Sequence, residues 1–228
     1  MYRGSSYLLQ RDYKAHKKAV KEILDEKYKD LLWNFEPQNK IDINKAKELL
    51  FNKEGDKGIY WFVKKSYNTE QSNEDDEASD TLTTKILMGT FGCVPAFDRY
   101  LKAGISAYKK ANKDSEYKFT QQIEDKDAKT FEAIANFVIG NKEELNKIKK
   151  DSALKEYPLM KLVDMYFWEI GYELDIAKEL VSSSNSETKK KRLLKKAQGL
   201  VPELKEIEDF GEMSQELYRR NGVEVGVN

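Results

Sequence analysis

Two glutamates one helical turn apart are the residues of this sequence whose type and spacing could do chemistry. Glu169 and Glu173 lie in the apolar segment KLVDMYFWEIGYELDIAKEL. On a helix drawn at about 100° per residue, Glu173 and Tyr166 fall on the apolar stripe and Glu169 falls at its edge. Asp164 falls on the opposite side, where solvent-facing residues are expected. A carboxylate on a core-facing stripe must find a cation, a hydrogen-bond donor or a metal ion, or else stay protonated. The pair therefore predicts either a site for a divalent ion or a basic group, or a buried salt bridge.

A second candidate lies near the N-terminus, where Arg11, Asp12 and His16 stand in the sequence RDYKAH. This Arg-Asp-x-x-x-His pattern resembles the short motif of HEPN-type ribonucleases, small helical bundles that cleave RNA without a metal ion. The resemblance implies that His16 is the acid/base group, that Arg11 stabilises the phosphorane charge, and that two subunits form the cleft. Histidine and arginine suit these two roles. The alternative is a structural His16 whose ring packs at the edge of the core.

The glutamate pair also resembles, in its helical spacing, the magnesium ligands of all-helical nucleotide pyrophosphohydrolases. That resemblance implies a magnesium-dependent phosphohydrolase that uses Glu169 and Glu173. The paired Glu-x-x-Glu and Glu-x-x-Asp motifs of that family are not reproduced, because the spacing here is Glu-x-x-x-Glu. Glu22-x-x-Asp25 is the only complement that the sequence offers.

The segment Gly89–Gly104, GTFGCVPAFDRYLKAG, interrupts the helical pattern in the middle of the chain. Glycines at 89 and 92 allow positive φ angles or the close approach of a neighbouring helix, so the segment predicts either a tight helix–helix corner or a ligand recess. A recess would be framed by the Gly89–Arg99 turn and by the Tyr166–Glu173 face of the long apolar helix. We expect Arg99 to contact an anion at its mouth. The expected ligand-binding residues are Cys93, Asp98, Arg99, Tyr166 and Glu173.

A basic run, KKKRLLKK, spans residues 189–196. Basic residues that share a face bind phosphate backbones, so this run is the expected RNA contact. The alternative is the solvent-facing side of an amphipathic helix whose buried side carries Leu193, Leu194 and Ala197. The basic residues concerned are Lys189, Lys190, Lys191, Arg192, Lys195 and Lys196.

The composition indicates the class of protein that must position these residues. Charged residues make up 35% and apolar residues 39% of the 228 residues, a mixture typical of amphipathic helices with solvated outer faces. Lys+Arg and Asp+Glu both total 40, so no net charge attracts nucleic acid or a membrane. One cysteine excludes an intrachain disulfide, and one histidine excludes a zinc site with two or more histidines. We expect a soluble, cytoplasmic protein with neither a membrane span nor a cofactor.

The apolar periodicity predicts an all-α fold, a single-domain irregular bundle of about eight helices over residues 1–220. An acidic loop is expected at 68–80 and a C-terminal tail at 221–228. Residues 59–66 are consistent with either a short buried helix or an extended segment. Pro95 and Pro158 are expected to open two of the helices. Asp42 is expected to cap the second helix, and either Asp125 or Asp127 to start the helix that ends at 139. Helices are expected over about 13–33, 42–51, 81–88, 96–111, 125–139 or 127–139, 142–152, 159–181, 187–199 and 203–220.

These features favour a binding protein over an enzyme, because the sequence contains no complete catalytic set. The expected ligand at the Gly89–Arg99 recess is a partner protein or a small acidic molecule, and a homodimer is compatible with either. The sequence contains two aromatic triplets, Tyr60-Trp61-Phe62 and Tyr166-Phe167-Trp168. Successive side chains point in different directions, so at least one ring of each triplet should lie outside the apolar stripe. Such a ring favours an interaction surface. The alternatives are the ribonuclease with Arg11 and His16 and the phosphohydrolase with Glu169 and Glu173.

Overall fold

The computed structural model describes residues 16–54, 58–67, 78–120, 122–123, 128–150 and 154–223. Within these ranges the chain forms eleven α-helices, one 3-10 turn at Pro202–Leu204 and no strand. The all-α prediction is confirmed, although the helices outnumber the eight expected. They are α1 (His16–Ile23), α2 (Glu26–Leu32), α3 (Lys40–Phe51), α4 (Ile59–Ser66), α5 (Asp80–Phe91), α6 (Arg99–Ala111), α7 (Lys129–Gly140), α8 (Lys142–Lys150), α9 (Leu159–Val181), α10 (Glu187–Leu200) and α11 (Phe210–Arg220).

The chain divides into two compact units, so the predicted single domain is not confirmed. The first unit comprises the described parts of Met1–Phe97 and Tyr117–Val163. The second comprises those of Asp98–Glu116 and Asp164–Asn228. Helix α9 therefore contributes its first residues to the first unit and the rest to the second. Most of the predicted acidic loop lies outside the described residues, as does the predicted tail after Val223.

The core of the first unit forms around the end of α3. Phe51 contacts the rings of Tyr60 and Phe131, with centroid separations of 5.3 and 5.5 Å. Residues 59–66 form helix α4, not an extended segment, and bury Tyr60 and Val63. A Cβ on Gly58 would lie 2.6 Å from the carbonyl oxygen of Leu50, so glycine allows α4 to begin against the end of α3.

Several helices begin at residues other than the predicted ones, because a different side chain caps their first turn. Asn39 caps α3 in place of Asp42, by accepting hydrogen bonds from the amides of residues 41 and 42. Ser79 caps α5, and Asp98, not Pro95, precedes the first turn of α6. Asp25 caps α2 and divides the predicted 13–33 helix in two. In each case a side-chain oxygen satisfies helix amides that have no partner within the helix.

The predicted interruption after residue 89 is a tight corner in the first unit. Gly92 ends α5 with φ +67°, and a Cβ there would lie 2.4 Å from Cγ of Pro158. Residues 91–97 are all buried. The hydroxyl of Thr84 accepts from the Phe97 amide at 2.8 Å, which ties this non-helical segment to α5. Gly89 has neither predicted role, because it lies within α5 and a Cβ there would meet nothing within 4 Å.

The second unit is organised by α9, which packs against α6 and shares an apolar core with α10 and α11. The hydroxyl of Ser214 on α11 also donates to the carbonyl oxygen of Ala177 on α9 at 2.8 Å. Over the described residues, none of the helices has the length and apolar character needed to cross a bilayer. The buried residues of this shared core are Ile176, Ala177, Leu180, Leu193, Leu194, Ala197, Val201, Leu204, Met213 and Leu217.

Candidate functional site

A pocket of about 370 Å³ lies in the second unit. Its walls come from the last turn of α6, the middle of α9 and the end of α11. This volume is near the lower end of the range of roughly 300–1,000 Å³ found for small-molecule sites. The lining residues are Tyr108, Ala111, Asn112, Tyr166, Glu169, Ile170, Glu173, Arg220, Asn221 and Gly222.

Two glycines bring the backbones of α6 and α9 into contact beside this pocket. A Cβ on Gly104 would lie 1.9 Å from the carbonyl oxygen of Phe167, and a Cβ on Gly171 would lie 2.0 Å from that of Tyr100. Neither distance is compatible with a side chain, so both helices need glycine at the crossing. Side chains three and four residues apart share a helix face, which explains why α9 presents residues 166, 169, 170 and 173 together.

Glu173 is the most deeply buried ionisable residue of the lining, with a relative exposure of 1%. Its Oε2 accepts from Nε of Arg220 at 3.0 Å and from Nδ2 of Asn221 at 2.6 Å. The salt bridge predicted as one option for this glutamate is therefore confirmed. Asn221 also ends α11, and its amide side chain bonds the carbonyl oxygen of Leu217 at 2.8 Å. The end of α11 thus holds one side of the Glu173 carboxylate.

The other carboxylate oxygen of Glu173, Oε1, is buried and accepts no hydrogen bond from any described residue. Removing a polar atom from water without giving it a partner costs about 1–3 kcal/mol, and more for a charged group. Oε1 has almost no accessible surface, but the terminal torsion of glutamate is broad, so a rotation of little energetic cost can turn this oxygen toward the pocket. The carboxylate therefore has an unused acceptor inside a site that is otherwise hydrogen-bonded.

Glu169, one turn before Glu173, adds a second carboxylate to the pocket. Partial burial raises its pKa above the ordinary value, and the neighbouring charge of Glu173 raises it further. The guanidinium of Arg220 acts in the opposite direction and lowers it. Two carboxylates thus share one guanidinium among the lining residues, which leaves an excess of negative charge when both are ionised.

Two tyrosines complete the lining on the α6 and α9 sides. The buried ring of Phe167 contacts both, edge-on to Tyr108 at 5.7 Å and to Tyr166 at 5.1 Å between centroids. Tyr166 was predicted on the inner face of α9, yet it is 44% exposed. Burial of the rest of the ring raises the pKa of the Tyr166 hydroxyl, which therefore stays neutral at physiological pH. Both residues offer aromatic surface and a hydroxyl group to a ligand.

Two of the five predicted ligand-binding residues are among the lining residues of this pocket. Tyr166 and Glu173 line the pocket, whereas Cys93 belongs to the first unit and is fully buried, and burial raises the pKa of its thiol. The Asp98 carboxylate caps α6 by accepting from the amides of residues 100 and 101. Arg99 lies over the ring of Tyr100 at 4.5 Å and pairs with Asp175 at 3.4 Å. These contacts give Cys93 and Asp98 structural roles.

The histidine predicted as an acid/base group has a structural contact. Nδ1 of His16 lies 2.8 Å from the hydroxyl oxygen of Tyr67, and the two rings meet edge-on at 5.5 Å. This matches the alternative of a histidine at the edge of the core. Arg11 lies outside the described residues, as does Asp12, so the ribonuclease motif stays a prediction.

The basic run forms the outer face of α10. Lys189 pairs with Glu179 at 3.1 Å, and Lys191 pairs with Glu187 at 2.9 Å. Lys196 lies 4.9 Å from the ring centroid of Tyr172. Residues 193, 194 and 197 are buried, as the amphipathic alternative predicted. RNA binding by this face stays a prediction.

Among the described residues, the glutamate pair gains none of the further acidic ligands that the magnesium hypothesis needs. Over the described part of the chain, no group of three or more His, Cys, Asp or Glu side chains is placed to hold a metal ion. Glu22 and Asp25 belong to the first unit. There Glu22 accepts from the Tyr28 hydroxyl at 2.8 Å, and Asp25 caps α2.

Sequence reasoning did not find the end of α11 as part of a site. Arg220 and Asn221 lie 47 and 48 positions from Glu173, a separation that no spacing rule connects. The Asn221-Gly222 pair is a helix-ending signal, and Gly222 has φ +66°. That signal could have placed the end of α11, but not its contact with α9.

The whole chain was also compared with protein-family models, with curated proteins and with solved structures. None of the three comparisons finds a match.

Proposed function

We propose that this protein works by binding a small molecule in the pocket of its second unit. The observation that carries the proposal is the state of Glu173, which lines the pocket, is buried, and has one oxygen without a donor among the described residues. A ligand group that donates a hydrogen bond to this carboxylate removes an energetic cost of about 1–3 kcal/mol. Most buried polar side-chain atoms in proteins already have a hydrogen-bond partner, so the unused acceptor of Glu173 is unusual.

The rigid surroundings of the pocket support the proposal. The α6–α9 crossing is fixed by backbone contact at Gly104 and Gly171, and Glu173 is held by two donors from the end of α11. A site built on packed helices loses little conformational freedom when a ligand binds, which improves affinity. The lining therefore has the character of a preformed binding site.

The side chains of the lining favour binding over catalysis. They offer two carboxylates, one guanidinium, two amides and two phenols, and none of the ten is a serine, cysteine, histidine or lysine. Carboxylates and phenols are the nucleophilic groups that remain, and the Glu173 carboxylate is already held by Arg220 and Asn221. The sequence favoured a small acidic ligand because Arg99 was expected at the mouth, and Arg99 is not among the lining residues. A partner protein, a homodimer and RNA binding stay predictions that these contacts do not favour.

A pocket-blocking variant tests the proposal. Ala111 is exposed, ends α6 and lines the pocket, so Ala111→Phe places a ring in the cavity without disturbing a core. A library of small fragments would be screened by ligand-observed NMR against the unmodified protein and this variant. We expect fragments that bind the unmodified protein and lose binding to Ala111→Phe.

Ala103→Phe is the matched control, because Ala103 is also an exposed alanine of α6 and is not among the lining residues. Fragments that use the pocket should bind this variant as they bind the unmodified protein. Hits that bind all three proteins equally, or a library with no hits, would contradict the proposal.

A further inference from the structure

We infer that the ligand of this pocket is a small organic cation with N–H donors, a primary ammonium or a guanidinium group, bound by Glu169 and Glu173 and by the rings of Tyr108 and Tyr166. The inference rests on the proposed function, since it names the chemical class that the pocket would take.

The charges of the lining favour a cation. The charge of Glu173 raises the pKa of Glu169, so the two carboxylates are close enough to interact, and Arg220 lowers the pKa of Glu169. Arg220 forms its ion pair with Glu173, at 3.0 Å from Oε2. A second positive charge in the pocket would compensate the remaining carboxylate, whereas an anion would meet two carboxylates at close range.

The hydrogen-bonding state of Glu173 restricts the cation to one with N–H groups. Its Oε2 already accepts from Arg220 and Asn221, but Oε1 accepts from no described residue. Ammonium and guanidinium groups can donate to it, and charge-assisted hydrogen bonds of this kind are among the strongest in proteins. A quaternary ammonium group carries the same charge but has no N–H to donate.

The aromatic residues provide a second reason for an organic cation. The faces of tyrosine rings attract cations, with an energy that increases when the pair is shielded from water. Tyr108 and Tyr166 both contact the ring of Phe167, which restricts their movement before a ligand binds. A bare metal ion would make little use of these rings, and Ca²⁺ takes roughly 6–8 oxygen ligands, more than the two carboxylates of this lining supply.

A series of probes with one shared carbon skeleton tests the inference. The probes are phenethylamine, phenethylguanidine, trimethyl(phenethyl)ammonium, phenethyl alcohol and 3-phenylpropionate, each titrated into ¹⁵N-labelled protein at up to millimolar concentration. We expect amine and guanidine to shift the amide signals around residues 108–112, 166–173 and 220–222. The trimethylammonium and alcohol probes should bind more weakly, and the carboxylate weakest of all.

Two neutralising variants assign the effect to the carboxylates. Glu173→Gln should weaken amine binding by at least about tenfold, the effect of losing one charge-assisted hydrogen bond. Glu169→Gln should weaken it by a smaller factor, because Glu169 is more exposed. Glu179→Gln is the matched control on the same helix, since Glu179 pairs with Lys189 and is not in the lining. The amide spectrum of each variant also shows whether its fold is retained.

The outcomes separate this inference from the proposed function. If the carboxylate or alcohol probe binds in the pocket as tightly as the amine, the inference that the ligand is a cation is wrong, whereas the proposed binding function stands. Unchanged amine affinity in a folded Glu173→Gln protein would also overturn the inference, as would a series in which no probe shifts the pocket signals. In the last case, fragments blocked by Ala111→Phe would still support a binding function for another class of ligand.

Discussion

At the scale of single residues, the pocket depends on three charged groups that influence one another. Arg220 pairs directly with Glu173 and also lowers the pKa of Glu169, whereas Glu173 raises it. Removing one partner of such a set changes the charge that the others experience, so the effects of single substitutions are not additive. Glu169 lies at the more exposed edge of this group, and its pKa is raised above the ordinary glutamate value.

We expect Glu169→Gln to stabilise the protein at neutral pH. Because burial and the Glu173 charge raise the pKa of Glu169 in the folded state, the folded chain binds this proton more tightly than the unfolded chain does. The free energy of unfolding therefore falls as the pH rises from the ordinary glutamate pKa of 4.5 through the raised pKa. Glutamine has no such proton, so the variant escapes this loss. Urea unfolding of both proteins over a pH series measures the difference.

Glu187→Gln is a control with the opposite sign. The hydrogen bond from Lys191 lowers the pKa of Glu187, so this carboxylate stabilises the fold above its ordinary pKa and loses that contribution as the pH falls. The Glu187→Gln protein should be slightly less stable than the unmodified protein at neutral pH, with the difference disappearing in acid. A Glu169→Gln protein that is less stable at neutral pH would contradict the assignment.

The sequence could locate the buried carboxylate but not its partners. Glu173 was placed on the apolar stripe of α9 by periodicity alone, and it is buried. The same plot placed Tyr166 inside and Asp164 in solvent, yet Tyr166 is 44% exposed and Asp164 is 4% exposed. A single stripe assumes one packing direction, whereas α9 has residues in both units and packs against different neighbours along its length.

At the scale of elements, the crossing of α6 and α9 determines whether the pocket walls meet. The glycines at 104 and 171 face the backbone of the opposite helix, and that close approach brings the last turn of α6 beside the middle of α9. Larger residues at such a crossing must push the helices apart or distort them. The pocket geometry should therefore be more sensitive to these two positions than to any single substitution on the outer faces.

Gly104→Ala should reduce the free energy of unfolding by about 1–3 kcal/mol, because its methyl group would lie 1.9 Å from the carbonyl oxygen of Phe167. It should also weaken binding in the pocket, even though Gly104 is not in the lining. Gly199→Ala is the matched control: Gly199 lies in α10, and a Cβ there meets nothing within 4 Å. That change should stabilise by roughly 0.5–1 kcal/mol. Chemical denaturation measures both, and a neutral Gly104→Ala would contradict the close crossing.

A comparison of the predicted and observed helix ends shows which sequence signals were sufficient to predict where a helix begins or ends. Helix α9 spans residues 159–181 as predicted, because Pro158 precedes a long apolar stripe with a serine-rich segment after it. Pro95 was a misleading start signal, since the segment after it is buried and bonded to α5 and the Asp98 side chain caps α6 instead. Local signals thus located the helices, whereas the choice between two local signals depended on tertiary contacts.

At the scale of the whole molecule, each unit has a buried core of its own. In the first unit, rings such as Phe51, Tyr60 and Phe131 pack around the end of α3. In the second, the core shared by α9, α10 and α11 also supports the site, because Arg220 and Asn221 lie within about one helical turn of the buried Leu217 on α11. The stability of that core and the geometry of the pocket are therefore expected to change together.

Leu217→Ala should lower the free energy of unfolding by about 2–5 kcal/mol, because it leaves a cavity at a fully buried position. Native-state hydrogen exchange should then show the largest loss of protection in α10 and α11, and amine probes should bind less tightly as α11 loses its packing. Leu50→Ala is the matched change in the first unit, at an equally buried leucine of α3. The Leu50→Ala protein should lose protection from hydrogen exchange mainly in α3, α4 and α7. If both variants instead lost protection equally along the whole chain, the division into two units would not describe how the protein unfolds.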